Sequence, residues 1–272
     1  MVKPVFVMVA PNGARRTKAD HPTLPISAAE LASTAIECHA AGAAAIHLHV
    51  RDAHGRHSLD VSRCAEAVNA VSAAVPDLAV QVTTEAASIC TVDDQERLLS
   101  DLKPRYASVS IAEILRDGED KGIEIVRRAV ASGIAIQYIL YSAEDVRTLS
   151  SLRRRLFEDD REPSTLLVAG RYGVVDDATV DMVDELYRVL SAEGLAAEGK
   201  WMVCAFGRGE MACLQAAMEL GGHARVGFEN AIVDANGKLA VSNAERVARV
   251  AEMAGSAGRP LMDRRSAASV LG

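Results

Sequence analysis

The chain has 272 residues and a formal net charge of −7, and 49% of its residues are hydrophobic while only 4% are aromatic. The acidic balance argues against nucleic acid as a partner, and no apolar stretch is long enough to cross a bilayer. The length and the aliphatic content suit one α/β domain with a large core, which we expect to cover residues 1–272.

Strand-like and helix-like segments alternate along the whole chain. Apolar, β-branched segments predict strands at residues 5–10, 44–50, 78–83, 106–110, 134–141, 165–169, 201–206 and 224–228. Between and after them, helical patterns cover about 27–41, 61–74, 91–102, 119–132, 142–156, 179–191, 210–220 and 242–254, with a short terminal helix at 266–271. Ser27-x-x-Glu30 and Ser242-x-x-Glu245 are capping boxes, which mark where two of these helices begin.

Eight strand–helix units in this length predict a (β/α)₈ TIM barrel. Near-continuous apolar strands are typical of a parallel sheet that helices cover. A doubly wound open sheet is the other fold of this class, but it favours a glycine-rich turn after the first strand. Here that turn reads Pro11-Asn12-Gly13-Ala14, which does not match G-x-G-x-x-G.

The second predicted strand carries two histidines, His47 and His49. Alternate residues of a strand point to the same side, so the two imidazoles project together near its carboxyl end. Neutral imidazole is a good zinc ligand, and the pair could bind one metal ion. The alternative is one packed and one exposed histidine. His54 and His57 follow in the next loop, where we expect them at the surface, whereas His21 and His223 could support the site.

The eighth predicted strand offers Arg225, Gly227 and Glu229, which share one side if the strand continues. Glu229 could complete a site of two histidines and one carboxylate with an open position, as in catalytic zinc sites. The alternative for Glu229 is a salt bridge to a loop arginine.

Other strand ends carry groups that could hold a substrate. Thr83, Ser108 and Ser110 could donate hydrogen bonds to an anion, with Arg225 as a bidentate partner for a carboxylate, although each hydroxyl could simply cap the next helix. Tyr141 could form the floor of a pocket or pack in the core. Gly207 and Arg208 stand at a helix start after the seventh strand, a place where barrels bind phosphate.

The five cysteines, Cys38, Cys64, Cys90, Cys204 and Cys213, are scattered and form no C-x-x-C pair. We expect them to be small core residues in a reducing compartment. The start of the chain lacks the layout of a signal peptide. We therefore predict a cytoplasmic protein that does not associate with membranes.

Several motifs together resemble the β-keto acid cleavage enzymes of the 3-keto-5-aminohexanoate cleavage type. They are Asn12-Gly13-Ala14 with Thr17-x-Ala19-Asp20-His21-Pro22, His47-Leu48-His49-Val50-Arg51-Asp52, Gly221-Gly222-His223-x-Arg225-Val226-Gly227-Phe228-Glu229 and Ser242-Asn243-Ala244. The resemblance covers essentially the whole chain. It implies a zinc-dependent barrel, usually a homotetramer, that condenses a β-keto acid with acetyl-CoA to give acetoacetate and a new acyl-CoA.

The resemblance also implies roles for individual residues. His47, His49 and Glu229 match the zinc ligands, and Arg225 matches a catalytic arginine that orients the substrate. Thr83 and Ser108 stand where the family has hydroxyls that hold the keto acid, and we add Asn12, Arg15, Ser110 and Tyr141 to the predicted substrate-binding set. Gly207 and Arg208 are placed near CoA.

The chain departs from the family pattern at Asn230, where the family usually has an aspartate that is the general base. An amide cannot accept a proton near neutral pH, so either another carboxylate such as Glu85 or Glu113 takes it or the chemistry differs from the family reaction. Of the two carboxylates we select Glu113. Arg15 stands where some members have glutamate. Tyr141 carries no charge, so we expect no cationic group on the far end of the substrate.

Two other functions remain open at this point. One is a barrel that binds metal and a keto acid or CoA without turnover, which Asn230 would allow. The other is a metal-dependent hydrolase, although such barrels carry His-x-His on the first strand and draw further histidines from later strands. No histidine occurs between His57 and His223. At an open site of this kind nickel or cobalt could replace zinc.

Overall fold

A computed structural model of the chain describes residues 3–157, 162–174 and 177–272. Eight parallel strands form a closed barrel in which each strand pairs with its sequence neighbours, and the first strand pairs with the last. The fold is therefore the predicted (β/α)₈ barrel. The strands are β1 (Val7–Val9), β2 (Ala45–Leu48), β3 (Ala79–Thr83), β4 (Tyr106–Ser110), β5 (Ala135–Leu140), β6 (Ser164–Ala169), β7 (Trp201–Ala205) and β8 (His223–Val226).

Helices surround the barrel and connect its strands. They are α1 (Ala28–Ala40), α2 (Val61–Ala74), α3 (Val92–Leu102), the short α4 (Ile111–Ile114), α5 (Glu119–Ala131), α6 (Ala143–Leu156), α7 (Val180–Ala192), α8 (Glu210–Glu219), α9 (Asn243–Ser256) and the terminal α10 (Ala267–Leu271). In the part of the chain that the structure describes, none of them has both the length and the apolar character needed to cross a membrane.

The helix starts follow the local sequence signals. The Ser27 hydroxyl accepts the N–H of Glu30, and the Glu30 carboxylate accepts the N–H of Ser27, which completes the predicted capping box of α1. Thr91 and Asp94 form the same arrangement at α3. These caps satisfy backbone donors that would otherwise lack partners at the beginning of each helix.

Two apolar layers hold the barrel together. The larger lies between the strands and the surrounding helices and includes Ile46, Val109 and Leu167. The smaller fills the barrel interior, where Phe6 and Met8 join residues of α10. Four of the cysteines are buried, Cys90 is half-buried, and all five are free, so the expectation of reduced core residues fits this arrangement.

The structure differs from the sequence-based expectation at three places. A two-stranded antiparallel hairpin, Val50–Arg51 with His57–Ser58, follows β2, and α4 follows β4. The eighth strand ends at Val226 rather than near residue 228, because Gly227 has a φ of 143° that a strand does not continue through.

Candidate metal centre and substrate cavity

Three side chains converge at the carboxyl end of the barrel: His47, His49 and Glu229. The two imidazole Nε2 atoms lie 3.1 Å apart. One oxygen of Glu229, Oε2, lies 3.3 Å from Nε2 of His49 and 3.7 Å from Nε2 of His47. The three ligand atoms all lie within 4.8 Å of one another and all three residues are buried, which is the arrangement of a site that could hold a metal ion.

The chemistry of these groups fits a cation. Oε2 of Glu229 is buried and has no hydrogen-bond donor among the described residues, although buried carboxylate oxygens normally have one. Burial opposes ionisation of Glu229, but Arg225 and the two histidines outweigh it and hold the pKa of the carboxyl well below its usual range. Burial also lowers the pKa of His47 to about 3, which keeps the imidazole neutral and able to bind metal.

Glu229 reaches the histidines from a turn and not from a strand, which corrects the expectation that it shares the face of β8 with Arg225. Its N–H donates to the carbonyl of Ala10 at 3.0 Å, so the turn is bonded to the segment after β1. Gly13 approaches from the same segment with a φ of 61°, and a Cβ there would lie 2.6 Å from Cγ of Glu229. The absence of a side chain at residue 13 thus leaves room for the carboxylate.

A hydrogen-bonded chain inside the barrel orients His47. Its Nδ1 lies 2.7 Å from Oε1 of Gln81, the Gln81 amide donates to Gln137 at 3.2 Å, and the Gln137 amide donates to Ser164 at 3.3 Å. Because Oε1 of Gln81 is an acceptor, it fixes the proton of His47 on Nδ1 and leaves Nε2 free for a metal. No motif marks this chain in the sequence, and the only signal is the position of Gln81, two residues before Thr83 on a buried strand.

The prediction that His57 lies at the surface is wrong. The hairpin after β2 turns the side chain of His57 inward. The His57 ring lies 5.2 Å from the ring of His49, and Nε2 of His57 lies 2.7 Å from the carbonyl oxygen of Glu85. Burial lowers the pKa of His57 to about 3. His54 is exposed as expected. His223 is the first residue of β8 and therefore lies at the opposite end of the barrel.

A cavity of about 300 Å³ opens beside the three convergent side chains. It brings together eight of the residues that the sequence pointed to. They are Arg15, Glu85, Ser110, Glu113, Tyr141, Arg225, Glu229 and Asn230.

Arg225 has unused hydrogen-bonding capacity at the buried end of this cavity. Its Nη2 donates to Glu229 at 2.8 Å and to the sulfur of Cys204 at 3.2 Å. Its Nε and Nη1 are buried and have no acceptor among the described residues. Unpaired donors of a buried guanidinium carry a large energetic cost, which an anionic acceptor bound beside Arg225 would offset.

Other predicted substrate-binding residues make contacts within the protein. The Asn12 amide donates to the carbonyls of Pro25 and His49, and the Thr83 hydroxyl accepts the N–H of Glu85 at 3.0 Å. Ser108 is buried, and its hydroxyl has no partner among the described residues. None of these three side chains lines the cavity, and their contact with a substrate stays a prediction.

The two carboxylates named as possible proton acceptors, Glu85 and Glu113, both line the cavity. Oε2 of Glu85 lies 3.8 Å from Nδ1 of His49. Oε2 of Glu113 accepts the N–H of Ala86 at 2.9 Å. Burial raises the pKa of both carboxyls, and a raised pKa brings a carboxylate closer to the range in which it can exchange protons at neutral pH.

The loop after β7 contacts the site through its backbone. The N–H of Gly207 donates to the carbonyl of Asn230 at 3.2 Å, and the N–H of Arg208 donates to Asp177 at 2.7 Å. The Arg208 side chain is exposed and does not line the cavity. Binding of CoA at Gly207 and Arg208 stays a prediction.

Comparison with known proteins gives a consistent result. A family model described as beta-keto acid cleavage enzyme matches residues 4–272. The 3-keto-5-aminohexanoate cleavage enzyme of Acetoanaerobium sticklandii is 28% identical, and the alignment covers 98% of each chain. The 3-oxoadipate:acetyl-CoA acetyltransferase of Cupriavidus necator is 27% identical, with 100% of this chain and 96% of the relative covered.

Solved structures share the architecture. The ternary complex of ObcA with a C4-CoA adduct and oxalate superposes with a TM-score of 0.74 at 20% identity, over 92% of this chain and 68% of the ObcA chain. The 3-dehydroquinate dehydratase of Aquifex aeolicus gives a TM-score of 0.57 at 11% identity, over 92% of this chain and 98% of that enzyme. At these identities the likeness shows the barrel fold alone.

Proposed function

Because the chain belongs to the β-keto acid cleavage enzyme family, we propose that it condenses a β-keto acid with acetyl-CoA to give acetoacetate and a new acyl-CoA, with zinc as its metal. The observation that carries this proposal is the cluster of His47, His49 and Glu229, which lies beside a cavity where Arg225 has two unpaired donors. The name of the relative from Cupriavidus necator, which includes acetyl-CoA, supports the choice of second substrate.

His47, His49 and Glu229 would hold the metal, because two imidazoles and one carboxylate with an open position are the donor set of catalytic zinc. A zinc ion bound there supplies Lewis acidity that polarises the keto oxygen of the substrate. The donor set alone would also suit nickel or cobalt. The choice of zinc rests on the family resemblance.

Arg225 would bind and orient the carboxylate of the keto acid. Guanidinium donors form strong, charge-assisted hydrogen bonds with carboxylates, and Nε and Nη1 of Arg225 are two buried donors that lack acceptors. The contact from Nη2 to Glu229 holds the guanidinium beside the proposed metal ligands. A carboxylate bound by Arg225 would therefore lie at the buried end of the cavity, beside these ligands.

A carboxylate must take the proton that leaves when the carbon nucleophile forms, and Asn230 cannot. We assign this role to Glu113, because it lines the cavity and its burial raises the pKa of the carboxyl. Glu85 is the alternative. Replacement of Glu113 by glutamine should then lower kcat by about 100-fold or more and leave metal content unchanged, whereas unchanged kcat would exclude Glu113.

The deciding experiment is a panel of β-keto acids with acetyl-CoA, with acetoacetate detected by mass spectrometry and metal content measured on the same samples. We expect acetoacetate to appear only when both substrates and the metal are present, and Glu229→Gln to abolish it. Consumption of keto acid without acetyl-CoA would instead support a hydrolase. Keto acid binding without turnover would support a barrel that only binds its ligands.

Three further predictions about this enzyme remain. The homotetrameric state follows from the family resemblance alone. The cytoplasmic location rests on the scattered cysteines, and the binding of CoA near Gly207 and Arg208 rests on their position after β7 together with the resemblance. Light scattering on the purified protein tests the first of them directly.

A further inference from the structure

Two arginines, Arg15 and Arg171, line the outer part of the substrate cavity, and no described carboxylate forms an ion pair with either of them. Arg15 follows β1, Arg171 follows β6, and both side chains are exposed. Each guanidinium lies over an aromatic ring, with Cζ of Arg15 5.7 Å from the ring centroid of Tyr172 and Cζ of Arg171 5.4 Å from that of Tyr141. In the described ranges neither guanidinium has a hydrogen bond or an ion pair, so its N–H donors are available to a ligand.

The carboxylates that line the same cavity are engaged elsewhere. Glu229 pairs with Arg225, Asp145 accepts a main-chain N–H at the start of α6, and Glu113 accepts a main-chain N–H at 2.9 Å. Glu85 lies on the metal side, 3.8 Å from an imidazole nitrogen of the ligand cluster. Arg15 is near enough to Glu85 and Glu113 to oppose the rise in the pKa of both carboxyls. Among the described residues, however, neither Arg15 nor Arg171 forms an ion pair with a carboxylate of the cavity.

The arginines of the cavity lie at two different depths. Arg225 is 2% exposed and marks the buried end, where the reacting carboxylate of the keto acid would bind. Arg15 and Arg171 are exposed and mark the open end. A substrate that spans the cavity from Arg225 would bring its far end to the part that Arg15 and Arg171 line.

We propose that the substrate is a β-keto acid with a second anionic group at its far end, such as a short 3-keto dicarboxylate, and that Arg15 and Arg171 recognise this group. This inference rests on the proposed function and specifies the substrate class. A cavity of about 300 Å³ lies at the low end of ligand pockets, which suits a short chain. Tyr141, Tyr172 and Phe206 line the cavity and supply apolar surface for the methylene groups.

The phosphates of acetyl-CoA are a second possible source of negative charge, and the experiment separates the two. Arg15→Met, Arg171→Met and the double variant are assayed with 3-oxohexanedioate and with its neutral-tailed counterpart 3-oxohexanoate. The second substrate is either acetyl-CoA or acetyl-pantetheine, which lacks the phosphates. Arg249→Met, on the exposed face of α9, is the matched control.

We expect each single variant to lose about tenfold in kcat/KM for the dicarboxylate, and the double variant to lose more. The loss with 3-oxohexanoate should be clearly smaller than the loss with the dicarboxylate, the KM for acetyl-CoA should not change, and Arg249→Met should keep the wild-type activity with both acids. Arg171→Glu should reverse the preference, so that the neutral-tailed acid becomes the better substrate. Losses that are equal for both acids, and that disappear with acetyl-pantetheine, would assign the arginines to CoA and overturn the inference.

Binding is also measured without turnover, by calorimetric titration of the metal-loaded protein with each acid in the absence of acetyl-CoA. Tighter binding of the dicarboxylate that depends on Arg15 and Arg171 supports the inference even if no acid is turned over. Failure of turnover by itself counts against the proposed function. Equal binding of the two acids overturns the inference whatever the turnover assay shows.

Discussion

At the scale of single residues, the proton on His47 is controlled from inside the barrel. The acceptor Oε1 of Gln81 holds the proton on Nδ1, and the Gln81 amide is itself held by Gln137. An imidazole with this tautomer presents a lone pair at Nε2. The orientation of the proposed ligand thus depends on a neighbouring strand that would not itself touch the metal.

Replacement of Gln81 by methionine tests this dependence. The variant keeps the volume and burial of the side chain but removes the acceptor, so we expect metal affinity to fall by about 10- to 100-fold. Competition with a chromophoric chelator measures the affinity, and circular dichroism checks that the barrel is intact. Gln215→Met, at an exposed position of α8, serves as the control. Equal affinities of Gln81→Met and the control would show that Gln81 does not position His47.

Some site residues could be identified from the sequence because their positions follow from strand geometry. His47, His49 and Arg225 stand at strand ends with a known side-chain alternation, and the barrel gathers such ends at one face. His57 could not be placed, because its burial depends on a short hairpin that local patterns do not predict. Arg171 belongs to no sequence motif. The structure is needed to show that Arg171 and Arg15 line the same cavity.

His223, at the other end of the barrel, gives a test of pH dependence that is separate from the metal site. Its Nδ1 accepts the N–H of Phe6 at 3.1 Å. Burial, followed by the charge of Arg259, lowers the pKa of His223 to about 4. The unfolded chain, with an ordinary value near 6.5, binds a proton at higher pH than the folded protein does. The folded state therefore loses stability as the pH falls from about 6.5 to about 4.

Replacement of His223 by asparagine keeps an acceptor near Nδ1 and removes the titration. We expect the wild-type protein to lose up to about 3 kcal/mol more in its free energy of unfolding than the variant over this pH range. Urea unfolding of the metal-free proteins at several pH values measures the difference. Parallel pH profiles of the two proteins would contradict the assignment.

At the scale of elements, the turn after β8 is pressed against the segment after β1. Gly227 has a φ of 143°, and a Cβ at this residue would lie 2.4 Å from the carbonyl oxygen of Ala10. Gly13 leaves similar room beside Glu229. Both glycines are therefore required by close approach as well as by backbone conformation.

Gly13→Ala should displace Glu229 and weaken metal binding. The new methyl group would meet Cγ of Glu229 at 2.6 Å, and φ is 61°, so we expect about 1 kcal/mol of backbone strain in addition to the displacement. The control is Gly194→Ala, which has a φ of 70° and no heavy atom within 4 Å of the new Cβ. Both variants should lose about 1 kcal/mol to backbone strain, but only Gly13→Ala should lose about tenfold or more in metal affinity. Calorimetric titration with zinc decides between these results.

Most helices and strands could be predicted because residues next to their ends, such as helix caps, determine where they begin and end. The limits of α2 and β4 agree with the sequence-based prediction, and the caps at Ser27 and Thr91 fix where α1 and α3 begin. The end of β8 was placed wrongly because the apolar pattern continues through Phe228, while the backbone turns at Gly227. Tertiary contacts with Ala10, which no local pattern shows, decide the conformation there.

At the scale of the whole molecule, closure of the barrel brings the proposed ligands together. His47 and Glu229 are far apart in sequence, but β8 pairs with β1, and β1 pairs with β2. A metal bound by all three ligands would therefore connect the first and last units of the barrel at their shared edge. Since an unfolded chain does not hold these groups together, binding energy adds to the stability of the fold.

Metal removal should accordingly lower the melting temperature of the whole protein. With free zinc at about 100 times its dissociation constant, the folded state gains about 2.7 kcal/mol, which for a chain of this size is a shift of about 5–10 °C. Differential scanning calorimetry in zinc and in excess chelator measures the shift, which should grow as the zinc concentration rises. In Glu229→Gln, which lacks the carboxylate but keeps both histidines, the shift should nearly vanish. If the melting temperature of Glu229→Gln still rose with the zinc concentration, the stabilising ion would bind elsewhere. It would then not connect the first and last units of the barrel.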